Sequence, residues 1–344
     1  MASTGRHSTG RHRRLGVAAA LVDGVVVPGD VVIDTATIDA VGVSPPGRRG
    51  LAVPGCVDVQ INGFAGVDFT RAEPAAIAGA LTALARHGVT AWVPTLPTAE
   101  TGAYALALRS LAEVMNRPPL GAKALGIHLD TPFLNPARRG AHPEAWLREP
   151  DPALLTRWAQ LAPLAVVTLA PELDGAAGLI AEARRRGIVV SLGHSEATAA
   201  QAHAAFDAGA SMVTHLWNAQ PAIGSRQPGL TGVALARPDV AVGLIADLVH
   251  VAPDTLRLSL AAAGPQAFVV SDALDAAGTP PGTRQRADDS DQHNDGIAVR
   301  LADGTLAGSA LPLDRALRPG DPVPRHPSRA GQRWLSTTAS TSSP

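Results

Sequence analysis

The chain has 344 residues, enough to bury a large core in one large domain or two unequal ones, and its single cysteine, Cys56, excludes an intramolecular disulfide and a thiolate zinc cluster. Lys plus Arg (29) and Asp plus Glu (30) nearly cancel to a net charge of -1, which argues against global attraction to nucleic acid or to an anionic membrane but leaves room for a local anion site. The apolar stretches are strand-sized and broken by Gly, Pro or charge, so no transmembrane span is expected.

Residues 1–14 are basic and rich in Ser, Thr and Gly, with no long apolar segment after them. They read as a disordered leader rather than a secretory signal, and a cytoplasmic protein is expected. Over 15–50, short Val/Ile runs at 21–27, 31–33 and 37–43 are split by Gly, Pro and Asp, the pattern of a small antiparallel β domain. From 51 to 318 the chain alternates two kinds of segment. Apolar runs at 53–61, 89–94, 124–129, 164–170, 188–192, 212–214, 240–246 and 267–270 predict strands. Ala/Leu/Glu/Arg-rich stretches between them, such as 74–87, 101–115, 175–186 and 197–208, predict helices. Three of these end in His87-Gly88, Arg186-Gly187 and Ala208-Gly209, which places glycine where the chain needs positive φ to leave a helix. Eight β-α units of this kind predict an α/β fold, a (β/α)8 TIM-like barrel, carrying a small, incomplete β-sandwich domain. A last helix starts near Pro312, and 319–344 is a Pro/Ser/Arg/Thr-rich tail without periodicity, expected to be disordered.

Chemistry in such a barrel is sought at the carboxyl ends of the strands. There the chain places Gln60 and Asn62, Thr95, Asp130, Glu172, His194, His215 with Asn218, Asp247 with His250, and Asp272. Imidazole nitrogens and carboxylate oxygens are the usual ligands of a catalytic divalent ion that keeps one position for water. Asp130, His194 and His215 are the expected ligands. Asp272, close to the bound water, is expected to accept its proton and pass it to a leaving amine, chemistry suited to amide hydrolysis.

Several segments carry a family likeness. They are Pro54-Gly55-Cys56-Val57-Asp58-Val59-Gln60-Ile61-Asn62-Gly63, Gly88-Val89-Thr90 with Pro94-Thr95, Pro132-Phe133-Leu134-Asn135-Pro136 with Gly140-Ala141-His142-Pro143, and Ala170-Pro171-Glu172. Ser191-Leu192-Gly193-His194-Ser195, Thr214-His215-Leu216-Trp217-Asn218-Ala219, Ile245-Ala246-Asp247 with His250-Val251, and Leu306-Ala307-Gly308-Ser309 complete the series. In collinear order over about 20–318, the chain resembles the N-acetylglucosamine-6-phosphate deacetylases of the amidohydrolase superfamily.

The resemblance implies hydrolysis of N-acetyl-D-glucosamine 6-phosphate to D-glucosamine 6-phosphate and acetate by a metal-activated water. His194 and His215 would ligate the metal, and Asp272 would be the general base and acid. His250 would hydrogen-bond the substrate near its acetamide carbonyl, His142 would contact the sugar, and Asn218 with the backbone amide of Ala219 would help hold the phosphate. Arg226 resembles an arginine that reaches across a homodimer to the neighbouring site. Gln60 stands where related amidohydrolases place a histidine for a second metal, so one divalent ion per subunit is implied: zinc first, with Fe, Co, Mn or Ni as alternatives.

Two departures bear on these expectations. Where the family has glutamate then glycine, this chain has Asp130-Thr131, one methylene shorter as a ligand and bulkier beside the expected sugar pocket. After Ser309 the family pattern continues through further helices and return strands, whereas the tail here matches none of it and reads as a truncated or aberrant carboxyl end. A deacetylase of a related N-acyl sugar, or an inactive homologue that only binds sugar phosphate, are the alternative readings.

Overall fold

The computed structural model describes residues 12–35, 37–130, 132–285 and 290–316, divided into two units between Gly55 and Cys56. The amino-terminal unit holds two three-stranded sheets: His12–Arg14, Asp30–Asp34 and Thr37–Val43 in one, and Val25–Pro28, Ala19–Val22 and Leu51–Ala52 in the other. Asp30 organises it. Its carboxylate accepts hydrogen bonds from the N–H groups of Gly16 (2.9 Å), Val17 (3.0 Å) and Val31 (2.8 Å) and from Nε of Arg14 (2.9 Å). Against the penalty of burial, these donors hold the Asp30 carboxyl below its ordinary range. Neither sheet closes, and Val25, Val26 and Ile38 stay exposed, as expected of an incomplete sandwich. The expected leader needs correcting at its end: His12–Arg14 pair antiparallel with Val32–Asp34, a register set by backbone bonding that the exposed side chains do not advertise. Residues 1–11 of the leader and the tail 319–344 lie outside the described residues.

The second unit is the barrel. Its parallel strands follow in chain order: β1 (Cys56–Ile61), β2 (Val89–Leu96), β3 (Ile127–Asp130), β4 (Leu164–Leu169), β5 (Val189–Leu192), β6 (Met212–Val213), β7 (Ala241–Ile245) and β8 (Ala267–Val270). Each pairs with the next, and the two-residue strand Lys123–Ala124 is an addition beside β2. The ring closes just beyond the strands. There Ile61 bridges Ala273, Asp272 N–H donates to Gln60 O (2.9 Å), and Asn62 N–H donates to Ala273 O (2.8 Å).

Alternation along each strand separates two apolar layers. Trp92, Ile127, Leu129, Val167, Leu169, Leu192 and Leu244 join the large cluster under the helices, while Val59, Val93, Val166, Val189, Met212 and Phe268 form a second cluster in the barrel interior. The helices begin where local chemistry favours it: Pro74, Pro152 and Pro253 occupy first turns, and Thr198 and Gln201 form a reciprocal capping box. Gly88, Gly187 and Gly209 all adopt the expected positive φ.

After β8 the chain adds a feature the barrel reading did not contain: an antiparallel sheet of Gly282–Gln285, Asp291–Asn294, Ala298–Leu301 and Leu306–Ser309. It joins the barrel rim through Ser309 N–H to Asp272 O (3.0 Å) and Leu274 N–H to Ser309 O (3.1 Å). Among the described residues no helix is long and apolar enough to cross a membrane.

Candidate active site

The strand ends deliver Asp130, His194 and His215 to one point. One ligand atom from each lies within 4.8 Å of the others, and all three residues are buried. Asp130 is the last residue of β3, whereas His194 and His215 each follow their strand, β5 and β6, after one intervening residue, Gly193 and Thr214, where the chain turns. That turn takes His194 to φ +50°, His215 to +25° and Asp272 to +46°, backbone that non-glycine residues adopt infrequently and that clusters at functional sites.

Nε2 of His194 stands 3.0 Å from Nε2 of His215. Nδ1–H of His194 donates to Arg138 O at 2.9 Å, so Nε2 is the atom that keeps its lone pair. Burial lowers the pKa of His194 to about 4, against the bond to Arg138, and also lowers that of His215, so both rings are neutral near pH 7. Burial pushes the Asp130 carboxyl up, opposed by His215 and the Thr168 hydroxyl.

These residues fit a metal ion. Asp130 Oδ1 is buried without a hydrogen-bond partner among the described residues, a cost rarely left uncompensated. Two imidazole nitrogens each about 2.0–2.1 Å from one tetrahedral ion would be about 3.3 Å apart, close to the 3.0 Å between the two Nε2 atoms.

Around this triad the cavity measures about 490 Å³. Asp272 and His250 line it, as do His142, Asn218 and Ala219. Asn62 Nδ2 donates to Asp272 Oδ1 at 2.8 Å, which leaves Oδ2 for other work. Burial raises the Asp272 carboxyl, with the Asp130 charge adding to it and His215, His250 and Asn62 opposing it. His250 Nδ1–H donates to Asp247 Oδ2 at 2.6 Å, and Asp247 Oδ1 accepts the N–H groups of Val249 and His250. Nε2 is therefore the His250 ring atom available to the cavity.

His142, expected at the sugar, also reaches the triad. Its Nδ1 accepts from Thr98 N–H at 3.2 Å, its Nε2 lies 3.8 Å from Asp130 Oδ2, and its ring meets His194 edge to face. Gln60 stays apart: it is buried and does not line the cavity, with Oε1 accepting from Thr214 Oγ1 at 2.7 Å. Arg226 is exposed in its loop and does not line this cavity, and Thr131 lies outside the described residues.

Sequence reasoning placed Asn62, Asp247 and Glu172 at the rim without giving them partners. The four-residue cycle Asp247 to His250 was a readable signal, since an Asp side chain commonly accepts backbone N–H groups two and three residues on. The cavity wall from Gln292, Asp275 and Thr305 was not readable, because it depends on the added antiparallel sheet.

An amidohydrolase family model matches residues 51–291. The N-acetylgalactosamine-6-phosphate deacetylase of Escherichia coli O157:H7 is 36% identical over 286 residues, covering 82% of this chain and 76% of the relative. The human N-acetylglucosamine-6-phosphate deacetylase is 39% identical over 285 residues, covering 79% and 69%. Among solved structures, a mutant N-acetyl-D-glucosamine-6-phosphate deacetylase of Mycobacterium smegmatis in complex with N-acetyl-D-glucosamine-6-phosphate superposes with a TM-score of 0.83 at 32% identity, covering 95% of this chain and 87% of that one. With these likenesses spanning the strands that carry Asp130, His194, His215 and Asp272, the chain belongs to the amidohydrolase family and, within it, to the N-acetylglucosamine-6-phosphate deacetylases.

Proposed function

We propose that this chain hydrolyses the acetamide of N-acetyl-D-glucosamine 6-phosphate, giving D-glucosamine 6-phosphate and acetate. The observation that carries the reading is the convergence of Asp130, His194 and His215 on a cavity whose wall also presents Asp272. A divalent ion held by the triad, zinc in our reading, supplies Lewis acidity to water and to the substrate carbonyl.

The chain's own residues do the rest. Asp272, with Oδ1 occupied by Asn62, takes the attacking water's proton through Oδ2 as the C–O bond forms and returns it to the departing nitrogen as the C–N bond breaks. His250, oriented by Asp247, addresses the acetamide carbonyl through Nε2. Asn218 and the Ala219 backbone hold the phosphate, His142 borders the sugar, and Gln60 leaves the centre mononuclear. Arg226 serves the neighbouring subunit of a homodimer, in keeping with its exposure outside this chain's own cavity. The working compartment is the cytoplasm, where a charged sugar phosphate is retained.

One observation favours a second sugar: the Escherichia coli O157:H7 relative is an N-acetylgalactosamine-6-phosphate deacetylase, and that sugar differs from N-acetylglucosamine 6-phosphate only in configuration at C4. Acetate release from both phosphorylated sugars and from unphosphorylated N-acetylglucosamine, with and without zinc, tests these readings. The expected result is zinc-dependent turnover of N-acetylglucosamine 6-phosphate that falls about 10²–10⁴-fold in Asp272→Asn without loss of bound zinc. Faster turnover of the galacto sugar supports the second reading, and no turnover of any of them overturns the proposal.

A further inference from the structure

Glu172 lies beyond β4, half buried, outside the triad and off the cavity wall, yet its carboxylate gathers three donors from two loops. Oε1 accepts from Asn135 Nδ2 (2.9 Å) and Glu196 N–H (2.6 Å), and Oε2 accepts from Ser195 Oγ (2.7 Å). Ser195 and Glu196 directly follow His194. Asn135 opens the short turn Pro136–Arg138, whose last carbonyl receives the His194 Nδ1 proton.

We propose that Glu172 is a positioning residue that fixes the ring and tautomer of His194, by tying the segment after that histidine to the loop that holds its Nδ1. This rests on the reading that the triad binds a metal. The connection is closed on every side. Asn135 N–H donates to His194 O (3.0 Å), Arg138 O accepts the ring proton, and the Arg138 guanidinium pairs with the Glu196 carboxylate. Ser195 Oγ, while donating to Glu172, accepts Ala197 N–H at 2.9 Å and so cannot swing away freely.

If the carboxylate were removed, Asn135 and the amide of Glu196 would lose their common acceptor, leaving, besides the bond to Nδ1 itself, only the Asn135–His194 and Arg138–Glu196 bonds between the two loops. Arg138 O would then be held less firmly against Nδ1, and the His194 proton could move to Nε2, the atom needed as a ligand. A carboxylate that merely stabilised the fold would affect melting but not the affinity or ligand field of the folded protein. A partner that orients a ligand affects both, typically by about 10–100-fold in metal affinity.

The test uses the full chain with Co(II) as the probe, following titration and the visible absorption band of the bound ion. Glu172→Ala is expected to keep its fold by circular dichroism, bind Co(II) about 10–100-fold more weakly and show an altered band. Glu172→Gln keeps an oxygen for Asn135 and Glu196 and is expected to fall between the parent and Glu172→Ala. Ser195→Ala, which deletes one bond, is expected to weaken binding less than Glu172→Ala, and it stands in should that variant fail to fold. A folded Glu172→Ala, or in its place Ser195→Ala, with parental affinity and band overturns this inference alone. A parent chain that takes up no Co(II) overturns the metal reading, and this inference with it.

Discussion

A Cβ built on Gly193 would lie 2.3 Å from the Cγ2 methyl of Thr214, so β5 and β6 approach beside the two histidines only because one of them carries no side chain at that point. Thr214 cannot yield without loss, since its hydroxyl donates to Gln60 Oε1. Gly193→Ala is therefore expected to force the strand ends apart or to break that bond. Destabilisation of about 1–3 kcal/mol should appear in urea unfolding, together with weaker metal binding. A variant that matches the parent in both would show that the ends have slack.

Asp130 carries a buried oxygen without a partner among the described residues, so Asp130→Ala separates two effects that ordinarily travel together. Without metal the variant should be no less stable than the parent, because an unsatisfied buried acceptor costs about 1–3 kcal/mol. With zinc at 100 times the parent's Kd, the parent should gain about 2.7 kcal/mol and the variant almost none. Thermal melts with chelator and with zinc decide it, and an equal zinc-induced rise in both chains would remove Asp130 from the ligand set.

Asp58 makes stability depend on pH. Burial, against hydrogen bonds from Ser271 and Gln60, pushes its carboxyl from an ordinary 3.8 up to about 7, and Oδ2 has no partner among the described residues. The folded chain thus keeps a proton that the unfolded chain has released over that interval. The stability this group contributes is fully present below the unfolded value and is lost as pH rises through the folded one, at about 1.4 kcal/mol per pH unit. Asp58→Asn should accordingly gain on the parent from about pH 4 to about pH 7 and no further above it. Urea midpoints in chelator across this range provide the check, and parallel curves would contradict the assignment.

The exposed Arg226 allows a mixing experiment. Arg226→Ala and Asp272→Asn should each be nearly inactive on the phosphorylated sugar, and their mixture, after subunit exchange, should recover part of the parent's activity. Heterodimers would then contain one site with both an intact Asp272 and a neighbour's intact arginine. Failure of any recovery in a mixture shown to exchange would place Arg226 outside the neighbouring site.

The barrel and the convergence of Asp130, His194 and His215 at its rim were legible for a simple reason. Runs such as Val189 to Leu192 alternate between an outer and an inner apolar layer, and a histidine at the end of such a run has only the rim to occupy. The added antiparallel sheet escaped because its inward alternation at Gln292 and Asn294 is polar, so period-two hydrophobicity is missing from a true strand. His12–Arg14 escaped likewise, with three exposed polar side chains on a strand held by backbone bonds alone. The approach of His142 to Asp130 depends on how a loop folds back onto Thr98, a relation between positions 44 apart that no local pattern encodes.

The bond from Asn62 to Asp272 spans 210 positions, and it lies on the seam where the first strand meets the last. On the proposed mechanism, the base is therefore fixed by a bond that forms only when the sheet comes full circle, whereas Asp130, His194 and His215 lie on strands that can meet in an unfinished cylinder. During refolding, uptake of the ion should precede return of turnover, with the interval set by the slow, long-range joining of the two ends.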